Sequence, residues 1–194
     1  SQILTSAGYQ HAYSMKEAQF IIINTCGFIH DARVESQEII ADALKNRRKG
    51  QYVIASGCLS QRLNAELYQQ FPSLDGLLGT RNLQDVLPLL DDLSNSAKPR
   101  QTTLPAYTKL MVDANLSNTI IQGGSSYLKI ADGCHRTCAF CAIPLIKGPL
   151  VSRSRDSVIR DALSLQALGV KEINLIAQDV TAYGIDRGES DALA

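Results

Sequence analysis

The 194-residue chain carries 19 lysines and arginines against 19 aspartates and glutamates, with 45% apolar and 20% charged residues. Such a balance suits one or two globular domains and lacks the overall basic field that marks a nucleic-acid binder. No apolar run reaches the roughly 18 residues needed to span a membrane, and no charged-then-apolar leader opens the chain.

Five cysteines, Cys26, Cys58, Cys134, Cys138 and Cys141, make an odd count. Without an export signal, that argues against a disulfide framework and for a reducing, cytoplasmic setting. There, clustered cysteines more often bind metal or do chemistry.

The first half alternates strand and helix signals. Ser1 to Ala7 reads as the tail of a helix closed by Gly8, so the chain is expected to begin inside a longer protein. Phe20 to Ile23 is a continuous apolar run, as in a parallel strand covered on both faces. It leads into Asn24-Thr25-Cys26-Gly27. A helix is expected from about Arg33 to Lys49, with Asp31 as cap and Val34, Ile40 and Leu44 at helical spacing. Tyr52 to Ala55 is the next strand and runs into Ser56-Gly57-Cys58. A helix from Gln61 to Gln70 is stopped by Pro72. Leu74 to Leu78 is a third strand, and Asn82 to Leu93 a helix in which Pro88 predicts a kink or restart.

This order predicts an α/β fold with a doubly wound parallel sheet over residues 1–93. Ligands gather at the C-terminal strand ends of such sheets. Cys26 and Cys58 each fall just past such an end, so they are expected to meet at one edge. They are either a second metal site or two buried, inert thiols.

Ser94 to Pro105 has the composition of a linker, and residues 106–126, ending in Gly123-Gly124-Ser125-Ser126, are expected to be mobile. A second unit starts at Tyr127, whose apolar run feeds Gly133-Cys134-His135-Arg136-Thr137-Cys138-Ala139-Phe140-Cys141. After it, Arg153 and Arg155 could hold an anionic group or simply be solvated. Ser157 to Leu168 is a helix capped by Asp156 or Ser154, and Lys171 to Ile176 a strand ending in Ala177-Gln178-Asp179. Strand, loop, helix and strand in that order suit the first β/α unit of a barrel over 127–194. Barrel chemistry sits at the C-terminal strand ends, where the cysteine loop and Gln178-Asp179 both fall.

A Cys-x3-Cys-x2-Cys loop can wrap an iron–sulfur cubane. Three thiolates leave one of four irons open, and an open metal position signals catalysis rather than scaffolding. Two other readings stand beside this one: a zinc site with His135 as fourth ligand, or a disulfide plus one free thiol. His135 adjoins Cys134, whereas structural zinc sites space their ligands in two separated clusters. Phe140 could cover a cofactor stacked beside the cluster.

With Phe140 inside it, the cysteine loop resembles the signature of radical S-adenosylmethionine enzymes. Asn24-Thr25-Cys26-Gly27-Phe28-Ile29 and Gly57-Cys58-Leu59-Ser60-Gln61-Arg62 resemble the N-terminal domain of the methylthiotransferases within that group. Ile143-Pro144, Lys147-Gly148-Pro149, Ser152-Arg153, Ile176-Ala177-Gln178-Asp179 and Tyr183-Gly184 extend the likeness to nearly the whole chain outside the linker. One branch of the family modifies a tRNA adenosine. The other methylthiolates an aspartate β-carbon in a small-subunit ribosomal protein, and Asn-Thr-Cys-Gly-Phe-Ile with Ile-Ala-Gln-Asp is more similar to that branch.

The resemblance implies two four-iron clusters and S-adenosylmethionine. Cys134, Cys138 and Cys141 would hold the first cluster, whose open iron chelates S-adenosylmethionine to yield a deoxyadenosyl radical. That radical would abstract hydrogen from the aspartate β-carbon. Cys26 and Cys58 would belong to the second, sulfur-presenting cluster, and a second S-adenosylmethionine would supply the methyl group. Phe140 and Gln178 would border the cofactor. The implied partner is the ribosomal protein, with an unidentified electron donor and sulfur source, no membrane and a monomeric enzyme. The alternatives are a tRNA substrate or a non-catalytic iron–sulfur module. The family's second cluster uses three cysteines, the first of them before the point where this chain starts, and its barrel has about six units. The 194 residues alone are therefore expected to be inactive.

Overall fold

The computed structural model describes residues 2–80, 85–95, 121–189 and 192–193. The chain divides into two compact units, Ser1–Ala106 and Tyr107–Ala194, each an α/β arrangement with parallel strand pairing.

In the first unit, α1 (Gln2–Ser6) precedes β1 (Phe20–Thr25), α2 (His30–Asn46), β2 (Tyr52–Gly57), α3 (Cys58–Leu63), α4 (Ala65–Gln70), β3 (Gly76–Leu78) and α5 (Val86–Asn95). The strands lie in the order β1-β2-β3, all parallel. Their register pairs Ile21 with Val53, Thr25 with Gly57 and Ser56 with Leu78.

Successive strand side chains point to opposite faces; β2 is buried on both, whereas β1, expected to be covered on both, leaves Ile22 37% exposed. Ile21, Ile23, Val53, Ala55 and Leu77 pack with Ile40 and Ala43 of α2 and with Leu59, Leu67 and Tyr68. Ile54 and Leu78 pack on the other side with Val86, Leu89, Leu90 and Leu93 of α5. Phe20 stacks on Tyr52 at 5.4 Å and meets Tyr9 edge-on at 6.0 Å.

Several boundaries differ from the sequence reading. Helix α2 begins at His30, three residues early, and its N-cap Ile29 offers no side-chain bond. Asp31 is a first-turn acid instead, where its charge still suits the helix dipole. The helix expected over Gln61 to Gln70 is two short helices, broken at Asn64 with φ 45°. Pro88 lies in the first turn of α5, where its missing N–H costs no intrahelical bond. Residues 82–84 of that expected helix, and 96–120 of the expected linker and mobile stretch, lie outside the described residues.

The second unit contains β4 (Ile121–Gln122), β5 (Ser125–Lys129), β6 (Ala131–Asp132), α6 (Ile143–Lys147), β7 (Val151–Ser152), α7 (Arg155–Ala167) and β8 (Glu172–Ile176). Residues 121–126, expected to be mobile, instead form a hairpin from β4 into β5 around Gly123-Gly124. β5 and β8 are parallel, with Tyr127 opposite Asn174 and Lys129 opposite Ile176. Their crossover includes α7, whose N-cap is Ser154, its side chain accepting from Ser157 N. Leu128, Ile130, Leu150, Leu165, Val170 and Tyr183 form the core. β8 is sparsely covered: Leu175 and Ile176 are 44% and 41% exposed.

Arg153, expected to hold an anion or face solvent, is only 4% exposed. Its guanidinium donates to Lys129 O, to the Ser157 hydroxyl and to the Asp161 carboxylate. Its own carbonyl accepts from the Tyr183 hydroxyl and from Arg187. One residue thus ties β5, α7 and the turn after β8 together. Both terminal nitrogens of this buried guanidinium are met by acceptors, while its Nε is buried without one.

Candidate metal centres at two strand ends

β1 and β2 stop together at the register pair Thr25 and Gly57. Cys26 and Cys58 are the next residue on each, so parallel pairing delivers both to one edge. The Thr25 hydroxyl donates to Ser56 O at 2.7 Å just beneath them. Gly27 is required by contact, because a Cβ there would lie 2.8 Å from the carbonyl carbon and oxygen of Cys58. The two cysteine loops therefore touch backbone to backbone.

Ser36, on the buried stripe of α2 with Ile40 and Ala43, accepts from Cys26 N at 3.0 Å and donates to Ala32 O at 2.7 Å. Arg62 donates to Gly27 O at 2.6 Å. Cys26 is exposed and Cys58 half-buried, and both are free thiols. Neither Ser36 nor Arg62 stood out as a support residue in the sequence. The available signal for Ser36 was a lone hydroxyl on an apolar helical stripe.

In the second unit, Asp132 is buried and paired with Lys129 at 3.1 Å and Lys147 at 3.5 Å. Gly133 follows with φ +78°, and a Cβ there would fall 2.1 Å from Pro149 O. Only glycine permits this turn out of the strand. Cys134 N donates to Gly148 O at 3.2 Å, closing the base of the loop, and Cys141 N donates to Cys138 O at 3.0 Å. Arg136 N donates to the Cys134 sulfur at 3.4 Å.

The parallel pairing of β5 with β8 brings the end of β8 to the same edge. Asp179 accepts from Arg136 Nε at 2.5 Å and from the Thr181 hydroxyl at 2.6 Å. The Thr181 hydroxyl first, and then Arg136, hold the Asp179 carboxyl below the usual carboxylate range. The hydrogen bond to Asp179 raises the Arg136 guanidinium in turn. Asp179 thus meets the cysteine loop, while Gln178 is exposed beside it and Phe140 is 93% exposed.

Cys138 is exposed, Cys134 and Cys141 are half-buried, and all are free thiols. Among the described residues no three His, Cys, Asp or Glu side chains converge as a metal-binding group. The donor set nevertheless suits iron–sulfur ligation: three unpaired thiols share one short loop, fixed at its base by Gly133 and Gly148.

The family model described as uncharacterized protein family UPF0004 matches residues 1–79. The chain is 39% identical over 180 residues to the ribosomal protein uS12 methylthiotransferase RimO of Syntrophotalea carbinolica, covering 91% of this chain and 39% of that protein. The RimO of Sorangium cellulosum is 39% identical over 198 residues, covering 99% of this chain and 40% of that protein. That of Pelotomaculum thermopropionicum is 37% identical over 187 residues, covering 95% and 41%. The chain spans about two fifths of the length of these curated relatives. Over this span the chain is similar to RimO-type methylthiotransferases.

Proposed function

We propose that the chain carries both iron–sulfur stations of a radical S-adenosylmethionine methylthiotransferase whose substrate is an aspartate β-carbon of ribosomal protein uS12. The observation that carries this reading is the pair of thiol sets: Cys26 and Cys58 directly follow the parallel strands β1 and β2, and Cys134, Cys138 and Cys141 follow β6, the short strand after β5. The relatives' shared name supplies the substrate.

In this reading Cys134, Cys138 and Cys141 hold one four-iron cluster with a position left open, and Cys26 and Cys58 contribute to a second. Bound there, the open cluster and S-adenosylmethionine supply a radical able to take hydrogen from unactivated carbon, chemistry beyond acid–base side chains. The chain's own residues do the positioning. Gly133 and Gly148 fix the loop base. Phe140 offers an uncovered aromatic face and Gln178 a polar group beside the strand end, as borders for the cofactor. Ser36 and Arg62 hold the Cys26 loop against Cys58.

The finer fold assignment belongs with this reading: a doubly wound domain over 1–93, a linker over 94–126, and the opening β/α unit of a barrel from 127. Its support is the apolar layers packed on the two sides of β2 and the parallel β5–β8 pair joined through α7. No described helix is long and apolar enough to cross a membrane.

Mass spectrometry of small-subunit ribosomal proteins from cells lacking the gene tests the substrate. Loss of a methylthio group from one uS12 aspartate is the expected result. An unchanged uS12 with an altered tRNA adenosine would overturn it.

A further inference from the structure

We propose that Arg136 and Asp179 form a latch that positions the cysteine loop over the end of β8, a role resting on the reading of that loop as a cluster site. The pair joins the middle of the loop to a residue 43 positions further on. Asp179 is the prepared half. Its side chain is 13% exposed against 57% for Arg136. Its second oxygen is already held by the Thr181 hydroxyl at 2.6 Å. The register of β5 against β8 sets the carboxylate beside the loop.

The latch acts on sulfur through the backbone. Arg136 carries the N–H that donates to the Cys134 sulfur. Holding the Arg136 side chain therefore holds a hydrogen-bond donor on one thiol of the set. Hydrogen bonds to ligand sulfurs orient metal ligands and tune clusters. An exposed ion pair contributes little to global stability, so the role assigned here is orientation of the loop rather than support of the fold.

Three variants of the full-length protein test this: Asp179→Asn, Arg136→Gln, and the swap Arg136→Asp with Asp179→Arg. All three also carry Cys26→Ala and Cys58→Ala, so that iron uptake reports on the loop alone. Hydrogen exchange of the metal-free proteins, read over residues 133–141, is expected to be at least threefold faster in both single variants and to recover in the swap. Iron taken up in a fixed anaerobic reconstitution is expected to fall at least twofold in the single variants and to recover in the swap. Melting temperatures are expected to move by no more than about 2 °C. Unchanged exchange together with unchanged iron uptake would overturn the latch. A parent protein that takes up no iron would instead overturn the cluster reading, while the exchange measurement would still decide whether the pair orders the loop.

Discussion

Cys26 and Cys58 follow two parallel strands with apolar layers packed against them, whereas Cys134, Cys138 and Cys141 follow β6, beyond a β5 whose parallel partner β8 exposes Leu175 and Ile176. The first thiol pair is fixed by apolar layers beneath it and by direct backbone contact between the two loops. The second set is held by backbone and by charge: Cys134 N donates to Gly148 O at the loop base, Asp132 just before the loop sits between two lysines, and Arg136 reaches to Asp179. The comparison teaches that one chain can present thiols at strand ends by two physical routes. An apolar sheet fixes positions through packing, while the partly exposed cysteine loop relies on directed polar ties.

Breaking each route should produce different damage. Arg153→Ala has the largest expected effect, about 3–5 kcal/mol, because it strands Asp161 in the interior. Urea unfolding followed by hydrogen exchange should show the loss in the second unit, with β1 and β2 still protected. Ile40→Ala should cost ~3 kcal/mol with the reverse pattern, since Ile40 is fully buried under the first sheet. Gly133→Ala forces a side chain against Pro149 O at a positive φ, at a cost of about 1–3 kcal/mol. Its exchange signature should be confined to residues 131–150.

The pH dependence of Asp179 is the smallest expected effect. Its folded-state pKa is lowered, so the stability it contributes is present above its unfolded value near 4. That stability is lost as the pH falls through the lower folded value. Urea midpoints measured from pH 5 downward should decline less steeply in Asp179→Asn than in the parent. Identical slopes would show that the carboxylate is not held by Thr181 and Arg136.

The strands of the first unit were legible from the apolar runs Phe20 to Ile23 and Tyr52 to Ala55, although Ile22 is 37% exposed and β1 is not covered on both faces as the run suggests. The sequence also put both cysteines of that unit at strand ends. The break at Asn64 was not legible, because nothing in Gln61 to Gln70 interrupts helical spacing strongly. The hairpin at Gly123-Gly124 carries its signal in the glycines, a composition that equally suits a mobile stretch. The Arg136–Asp179 tie was out of reach, because strand register across 43 residues creates it rather than any local pattern. Arg153 misled for a related reason: arginine after a cofactor loop suggests an anion, and only the packing of α7 supplies Asp161 instead.

The central claim is that two separate thiol sets hold two separate clusters, and anaerobic iron and sulfide analysis of the full-length protein tests it most directly. Replacing Cys134, Cys138 and Cys141 by alanine should remove part of the iron together with the spectral response to added S-adenosylmethionine. Replacing Cys26 and Cys58 should remove iron while leaving that response. Full iron content after the triple replacement, or stoichiometric zinc in place of iron in the parent, would contradict the account.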